Sequence, residues 1–250
     1  MIRWTYAFVD RPAEQFAAAA AFWTAVTGTR LSEPRGEHGE FATLLADGAD
    51  ACLKLQAVGG DDTGDGGGHP DLAVDDVLAT AGAAVRLGAT VVDQQPDVTV
   101  LRSPGGQLFC LVDWHGETVR PPVATAPGGA SSRLDQLALD IPPAAYPAEV
   151  AFWAELTGWE LLTGSRPEFQ VLRPPAPLPL RFLLHRLDQP RPAAAHHDLA
   201  CTDVEAVRAW HESLGAVAVA RHPHWTAMRD PAGGSYCLTG RDPATGSLPG

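Results

Sequence analysis

The chain alternates between two hydrophobic periods. In "RWTYAFVD", Tyr6 and Phe8 share one side while Thr5 and Ala7 share the other, which is the period of a strand. From Pro12 the spacing lengthens to that of a helix, with Phe16, Ala19, Ala20 and Trp23 on one face and Gly28 as its stop. Short strands are predicted near 29–32, 41–45 and 51–56. A second round opens at His69 with a strand to Val74 and a helix capped by Asp75 or Asp76 that ends at Gly88. Strands near 90–93, 98–102 and 107–112 complete it. The same order fits 134–186 and 196–239, where Thr202 and Glu205 offer a capping box.

The pattern is a repeat in the residues themselves. "HPDLAVDDV" at His69 returns as "HHDLACTDV" at His196, "AFWTAVTG" as "AFWAELTG", and "VTVLRSPGGQLFCLV" as "WTAMRDPAGGSYCLT", in the same order. Residues 1–120 and 131–250 are therefore expected to be two domains joined by a Pro/Gly/Ala-rich linker at 121–130. Each copy holds two βαβββ units. One unit leaves a sheet face bare, and two can pair so that the sheet curls into a cup with the helices outside, an α+β fold. Trp23 and Trp153 fall mid-helix, where they should pack the helix onto the sheet.

Charge narrows the partners. The formal net charge is -12, with no basic run, which argues against nucleic acid and anionic membranes. The longest apolar run, "FAAAAAFW", is too short to cross a bilayer, and "MIRWTYAFVDRP" lacks the apolar centre of a signal peptide. Four scattered cysteines without CxxC spacing suit a reducing compartment. The expectation is a cytoplasmic monomer or homodimer that takes a small-molecule ligand or substrate.

Paired βαβββ units with "FW…TG", "P-x-G" and "H-x-D-L" signals resemble the vicinal oxygen chelate superfamily, the glyoxalase, bleomycin-resistance and extradiol dioxygenase group, in tandem glyoxalase-like form. The resemblance implies metal ligands on the first and last strand of each unit, usually His or Gln on the first and Glu on the last. These positions read Thr5, Gln56, His69 and Cys110 in the first cup, and Gln136, His185, His196 and Cys237 in the second. This parity turns Tyr6, Phe8, Leu137 and Leu139 towards the helices. No Glu occupies a ligand position.

A lone imidazole should leave the first cup without an ion. In the second, Gln136, His185, His196 and Cys237 form a possible site for zinc, iron or nickel. Asp71 and Asp198, two residues beyond the histidines, share their face and could orient the rings. Asp140 and Arg181 join Gln136, His185, Cys237, Gln56, His69 and Asp71 as expected pocket residues. Three functions follow. The first is a binder of a small organic molecule without the usual His/Glu metal site and without a cofactor. The second is a metal-dependent lyase, isomerase or dioxygenase acting in the second domain. The third is a metal-free enzyme using His196 with Asp198 as general base.

Overall fold

The computed structural model describes residues 1–59, 67–164 and 166–248. The polar loop "GGDDTGDGGG" thus falls mostly outside the described residues. The first copy runs β1 (Ile2–Pro12), a 3-10 turn (Ala13–Gln15), α1 (Phe16–Thr27), β2 (Arg30–Leu31), β3 (Phe41–Leu45), β4 (Leu53–Val58), β5 (Pro70–Val74), α2 (Val77–Arg86), β6 (Thr90–Gln94), β7 (Val98–Arg102) and β8 (Leu108–Asp113). The second runs β9 (Ala124–Thr125), β10 (Ser131–Ile141), α3 (Tyr146–Thr157), β11 (Glu160–Thr163), β12 (Phe169–Arg173), β13 (Arg181–Arg186), β14 (Ala194–Cys201), α4 (Val204–Ser213), β15 (Val217–Arg221), β16 (Trp225–Arg229) and β17 (Ser235–Thr239).

The chain folds as an α+β protein of four βαβββ units, two to a curled sheet. One sheet orders its strands β2-β3-β4-β1-β5-β8-β7-β6 and the other β11-β12-β13-β10-β14-β17-β16-β15. The parallel pairs β5–β8 and β14–β17 sit at equivalent places. Within the stretch read as a linker, β9 pairs with β10, and Ala124 and Ala126 are buried.

Local chemistry explains the helix ends. Asp76 caps α2 by accepting from the Ala79 amide at 2.8 Å. The capping box expected at Thr202 does not form. Asp203 caps α4 instead, accepting from Ala206 N at 3.0 Å, while the Thr202 hydroxyl accepts from Ser131 N at 2.9 Å. A carboxylate one residue further on is simply the better placed acceptor.

Sheet pairing follows the copies, but side-chain packing crosses them. One compact unit comprises Met1–Ala7, His69–Val119 and Leu137–Ala195; the other comprises Phe8–Gly68, Arg120–Gln136 and His196–Gly250. In the first, Phe152 and Trp153 of α3 lie against Phe109 of β8, with ring centroids 5.8 and 5.1 Å apart. In the second, Phe22 and Trp23 of α1 lie against Tyr236 of β17 at 5.7 and 5.4 Å. His211 of α4 joins that cluster, with its Nδ1 3.0 Å from the Tyr236 hydroxyl, and burial lowers its imidazole pKa to about 4.

Trp23 and Trp153 are fully buried, so each of these indole N–H groups needs an acceptor. Trp23 donates to Asp230 Oδ2 at 3.0 Å, and Arg11 Nη2 reaches the same oxygen at 2.6 Å. Trp153 donates to Glu149 Oε1 at 2.7 Å. Glu149 also accepts from the Ser103 hydroxyl at 2.5 Å and from Gly105 N at 2.6 Å. The acceptor comes from a turn in one unit and from the helix itself in the other. Burial raises the Glu149 carboxyl pKa, against the lowering effect of its Ser103, Trp153 and Gly105 bonds.

Two outcomes follow. Asp230→Ala leaves the Arg11 charge buried without its partner, which should cost on the order of 3–5 kcal/mol in denaturant unfolding; a loss below about 1 kcal/mol would contradict the lock. Because the folded carboxyl pKa of Glu149 is raised, the protonated form is favoured by folding. Its contribution is therefore complete below the ordinary glutamate pKa and is lost as pH rises through the raised value. Unfolding midpoints measured across that window should fall in the wild type relative to Glu149→Gln, whose side chain does not titrate.

Candidate functional site

In the unit containing the end of the chain, β14 carries His196 and Asp198 two residues apart, hence on one face. Strand β17 runs parallel beside it with Cys237 directly opposite Asp198. Ligand atoms of His196, Asp198 and Cys237 all lie within 4.8 Å of one another. His196 Nε2 stands 3.5 Å from Asp198 Oδ1, too long for a hydrogen bond with good geometry. From β10, the Gln136 side-chain amide donates to Asp198 Oδ2 in a short contact. Asp198 is only 2 % exposed, and its Oδ1 accepts no hydrogen bond. Burial raises the Asp198 carboxyl pKa, opposed by His196, Arg241 and the Gln136 bond. Arg241, itself buried, bridges to Asp135 next along β10.

The other compact unit repeats the constellation. Asp71 on β5 lies opposite Cys110 on β8, and with His69 their ligand atoms again fall within 4.8 Å of one another. His69 Nε2 is 3.7 Å from Asp71 Oδ1. Across the antiparallel β1–β5 ladder, Asp71 faces Tyr6, whereas Thr5 faces Leu72. This corrects the expected parity of β1. Thr5 is buried on the side of Leu72 and Leu111, and Tyr6 shares the side of Asp71 and Cys110. The Tyr6 hydroxyl donates to Glu117 Oε1 at 2.7 Å.

The remaining expected pocket residues are placed as follows. Gln56 pairs with Phe41, whose ring meets Phe8 at 6.5 Å, and Lys54 lies over Phe8 at 5.4 Å. His185 belongs to the compact unit opposite to that of His196. Its Nδ1 lies 2.7 Å from Asp140 Oδ1, and Arg191 reaches Asp140 Oδ2 at 3.1 Å. Arg181 begins β13, half-buried. Asp71 and Asp198, which the H-x-D spacing places on the face of His69 and His196, bring a carboxylate into each cluster.

The donor types of the second-copy cluster, and the one spacing known within it, suit a divalent ion. Two ligands of one tetrahedral zinc, each about 2.1 Å from it, stand roughly 3.4 Å apart. The 3.5 Å between His196 Nε2 and Asp198 Oδ1 matches that spacing. A buried carboxylate oxygen without a donor is also where a cation would be expected.

Two sheets of paired βαβββ units define a vicinal oxygen chelate fold. The chain belongs to the glyoxalase-like domain family, whose pattern matches residues 6–112 and 136–239. The solved structure of 2,2',3-trihydroxybiphenyl 1,2-dioxygenase from Sphingomonas wittichii strain RW1 superimposes with a TM-score of 0.59 at 16% identity, covering 96% of this chain and 90% of that one. The 2,3-dioxygenase LapB from Pseudomonas sp. KL28 gives 0.61 at 15% identity over 95% and 92% of the two chains. An extradiol ring-cleaving dioxygenase from B.fuscum gives 0.62 at 12% identity over 99% and 75%. At these identities the likeness establishes the fold. No curated protein matches the chain by sequence. Among the described residues, no helix is long and apolar enough to cross a membrane.

The cysteines separate by environment. Burial pushes the Cys52 and Cys201 thiols up to about 12, which keeps them protonated at neutral pH. Cys237 is half-buried beside His196. In the folded protein dialysed against a chelator, iodoacetamide should modify Cys237 at least about tenfold faster than Cys52 or Cys201. Peptide mass spectrometry over a time course checks the order, and equal rates would refute it.

Proposed function

We propose that the chain binds a small organic molecule through oxygen donors at a divalent-metal centre formed by His196, Asp198 and Cys237. The supporting observation is Asp198 Oδ1, a buried carboxylate oxygen with no hydrogen-bond donor, 3.5 Å from His196 Nε2 in a cluster whose imidazole, carboxylate and thiol ligand atoms lie within 4.8 Å of one another. No glutamate stands at the ligand positions. Asp198 supplies that missing carboxylate.

Each residue has a task in this reading. Gln136 holds Asp198 Oδ2, so that the carboxylate presents Oδ1. The imidazole of His196 contributes a neutral nitrogen. Cys237 contributes a thiolate, which favours zinc among common divalent ions. Three protein donors leave one position open, and a bound zinc would act there as a Lewis acid on a substrate oxygen. The open position suits lyase or isomerase chemistry as well as simple capture of a ligand. A metal-free base formed by His196 and Asp198 is less well supported, since 3.5 Å separates the atoms that would have to share a proton.

Zinc content after dialysis, read by atomic absorption, tests the centre. His196→Ala and Cys237→Ser should each lose about one equivalent relative to the wild type, whereas His222→Ala, on the exposed loop before β16, should lose none. Wild-type zinc content in both site variants would overturn the proposal.

A further inference from the structure

We infer that the first copy carries its own divalent-metal site, built from His69, Asp71 and Cys110, and that the chain therefore binds two ions. The inference uses the same ligand chemistry as the reading above but rests on different residues in a different compact unit.

Counting strong ligands by strand position gave this cup a single imidazole. The structure gives it three donors whose ligand atoms all lie within 4.8 Å. The register accounts for this. Asp71 and Cys110 are directly opposed on the parallel β5–β8 pair, and His69 is two residues before Asp71 on the same face. His69 Nε2 and Asp71 Oδ1 are 3.7 Å apart, beyond a hydrogen bond yet near the roughly 3.4 Å between two ligands of one tetrahedral zinc.

Cys110 is also on the wrong face for a purely structural cysteine. The helix-facing side of the same strands carries Leu72 and Leu111, both fully buried, while Cys110 shares the opposite side with Asp71 and Tyr6. Its neighbours there are an imidazole and a carboxylate. Nitrogen, oxygen and thiolate sulfur together select zinc or cobalt(II) over magnesium or calcium, which prefer all-oxygen sets. Binding converts the thiol to thiolate, with its proton released to solvent.

The two sites differ in the residue across β1 or β10. The second copy places Gln136 there, holding the aspartate through its amide. The first places Tyr6, whose phenol is anchored on Glu117. Both aspartates are buried, at 4 % exposure for Asp71 and 2 % for Asp198, so the two sites differ in the chemistry of this wall and not in the burial of their carboxylate.

The test is a cobalt(II) titration of the full chain, reading the thiolate-to-cobalt absorption and the stoichiometry. The wild type should take up about two equivalents, and Cys110→Ser or His69→Asn about one. The double variant Cys110→Ser with Cys237→Ser should show no thiolate band. Circular dichroism establishes that each variant is folded, and His69→Asn keeps the test open should the cysteine variant fail to fold. One equivalent in the wild type, lost in His196→Ala and kept in Cys110→Ser, overturns this inference and leaves the second-copy centre standing. One equivalent kept in His196→Ala and lost in Cys110→Ser supports the first-copy site and overturns the other. No uptake overturns both.

Discussion

The fold turns on a demand made by two buried indoles. Trp23 and Trp153 are each fully enclosed, and an indole N–H taken from water without an acceptor costs roughly 1–3 kcal/mol. Each compact unit answers with a carboxylate, and that carboxylate also organises the turn before the last strand of a sheet. Asp230 Oδ1 accepts from Ala232 N and Gly234 N, both at 2.9 Å. Glu149 takes the Gly105 amide and the Ser103 hydroxyl. These turns feed β17 and β8, the strands that carry Cys237 and Cys110. The thiols are therefore held in register by the same groups that seat the helices.

This arrangement constrains the turn residues closely. A Cβ on Gly234 would lie 1.4 Å from Arg11 Nη2, and one on Gly105 would lie 2.6 Å from Glu149 Oε2. Neither side chain can withdraw without giving up its buried partner. The glycine of the "P-x-G" signal itself, Gly106 or Gly233, turns the chain at positive φ, while the close approach of charge to backbone falls on its neighbours Gly105 and Gly234. The cost of burying Arg11 and Asp230 is offset by specific bonds: Arg11 Nη1 donates to the carbonyls of Asp10 at 2.7 Å and Gly67 at 2.9 Å, besides its ion pair. Such a pair adds little net stability, yet it is intolerant of losing one member. That makes it a device for fixing one packing arrangement.

Much of this was legible beforehand. The four βαβββ units, the helix stop at Gly28 and the shared face of His196 and Asp198 all follow from periods of 3.6 and 2. The failures have physical causes. β1 was assigned the wrong parity because almost all of it is buried on both sides, so no alternation distinguishes Thr5 from Tyr6. Its repeat partner β10 is equally uniform, with Ser132 and residues 134–141 all buried. The exchange of helices between copies left no local signal, because Phe22-Trp23 and Phe152-Trp153 would suit either sheet. Only the unequal partners, Asp230 against Ser103 and Glu149 against Ala19, record that each tryptophan found its acceptor in a different place.

The same inequality bears on the sites. A repeat duplicates its residues whether or not they are used, so the recurrence of His, Asp and Cys is weak evidence by itself. Divergence around the recurrence says more. The acceptor for the buried tryptophan moved from turn to helix, and the residue beside the aspartate is Tyr6 in one copy and Gln136 in the other. Both buried arginine–aspartate pairs, Arg11 with Asp230 and Arg241 with Asp135, lie in the compact unit that holds His196. Against that divergence, the histidine–aspartate spacing is close in the two copies, 3.7 Å and 3.5 Å. A buried carboxylate in an apolar sheet is costly unless something charged or hydrogen-bonding faces it. In the second copy that facing group is the Gln136 amide on Asp198 Oδ2, which leaves Oδ1 towards His196 as the oxygen the proposed centre would use.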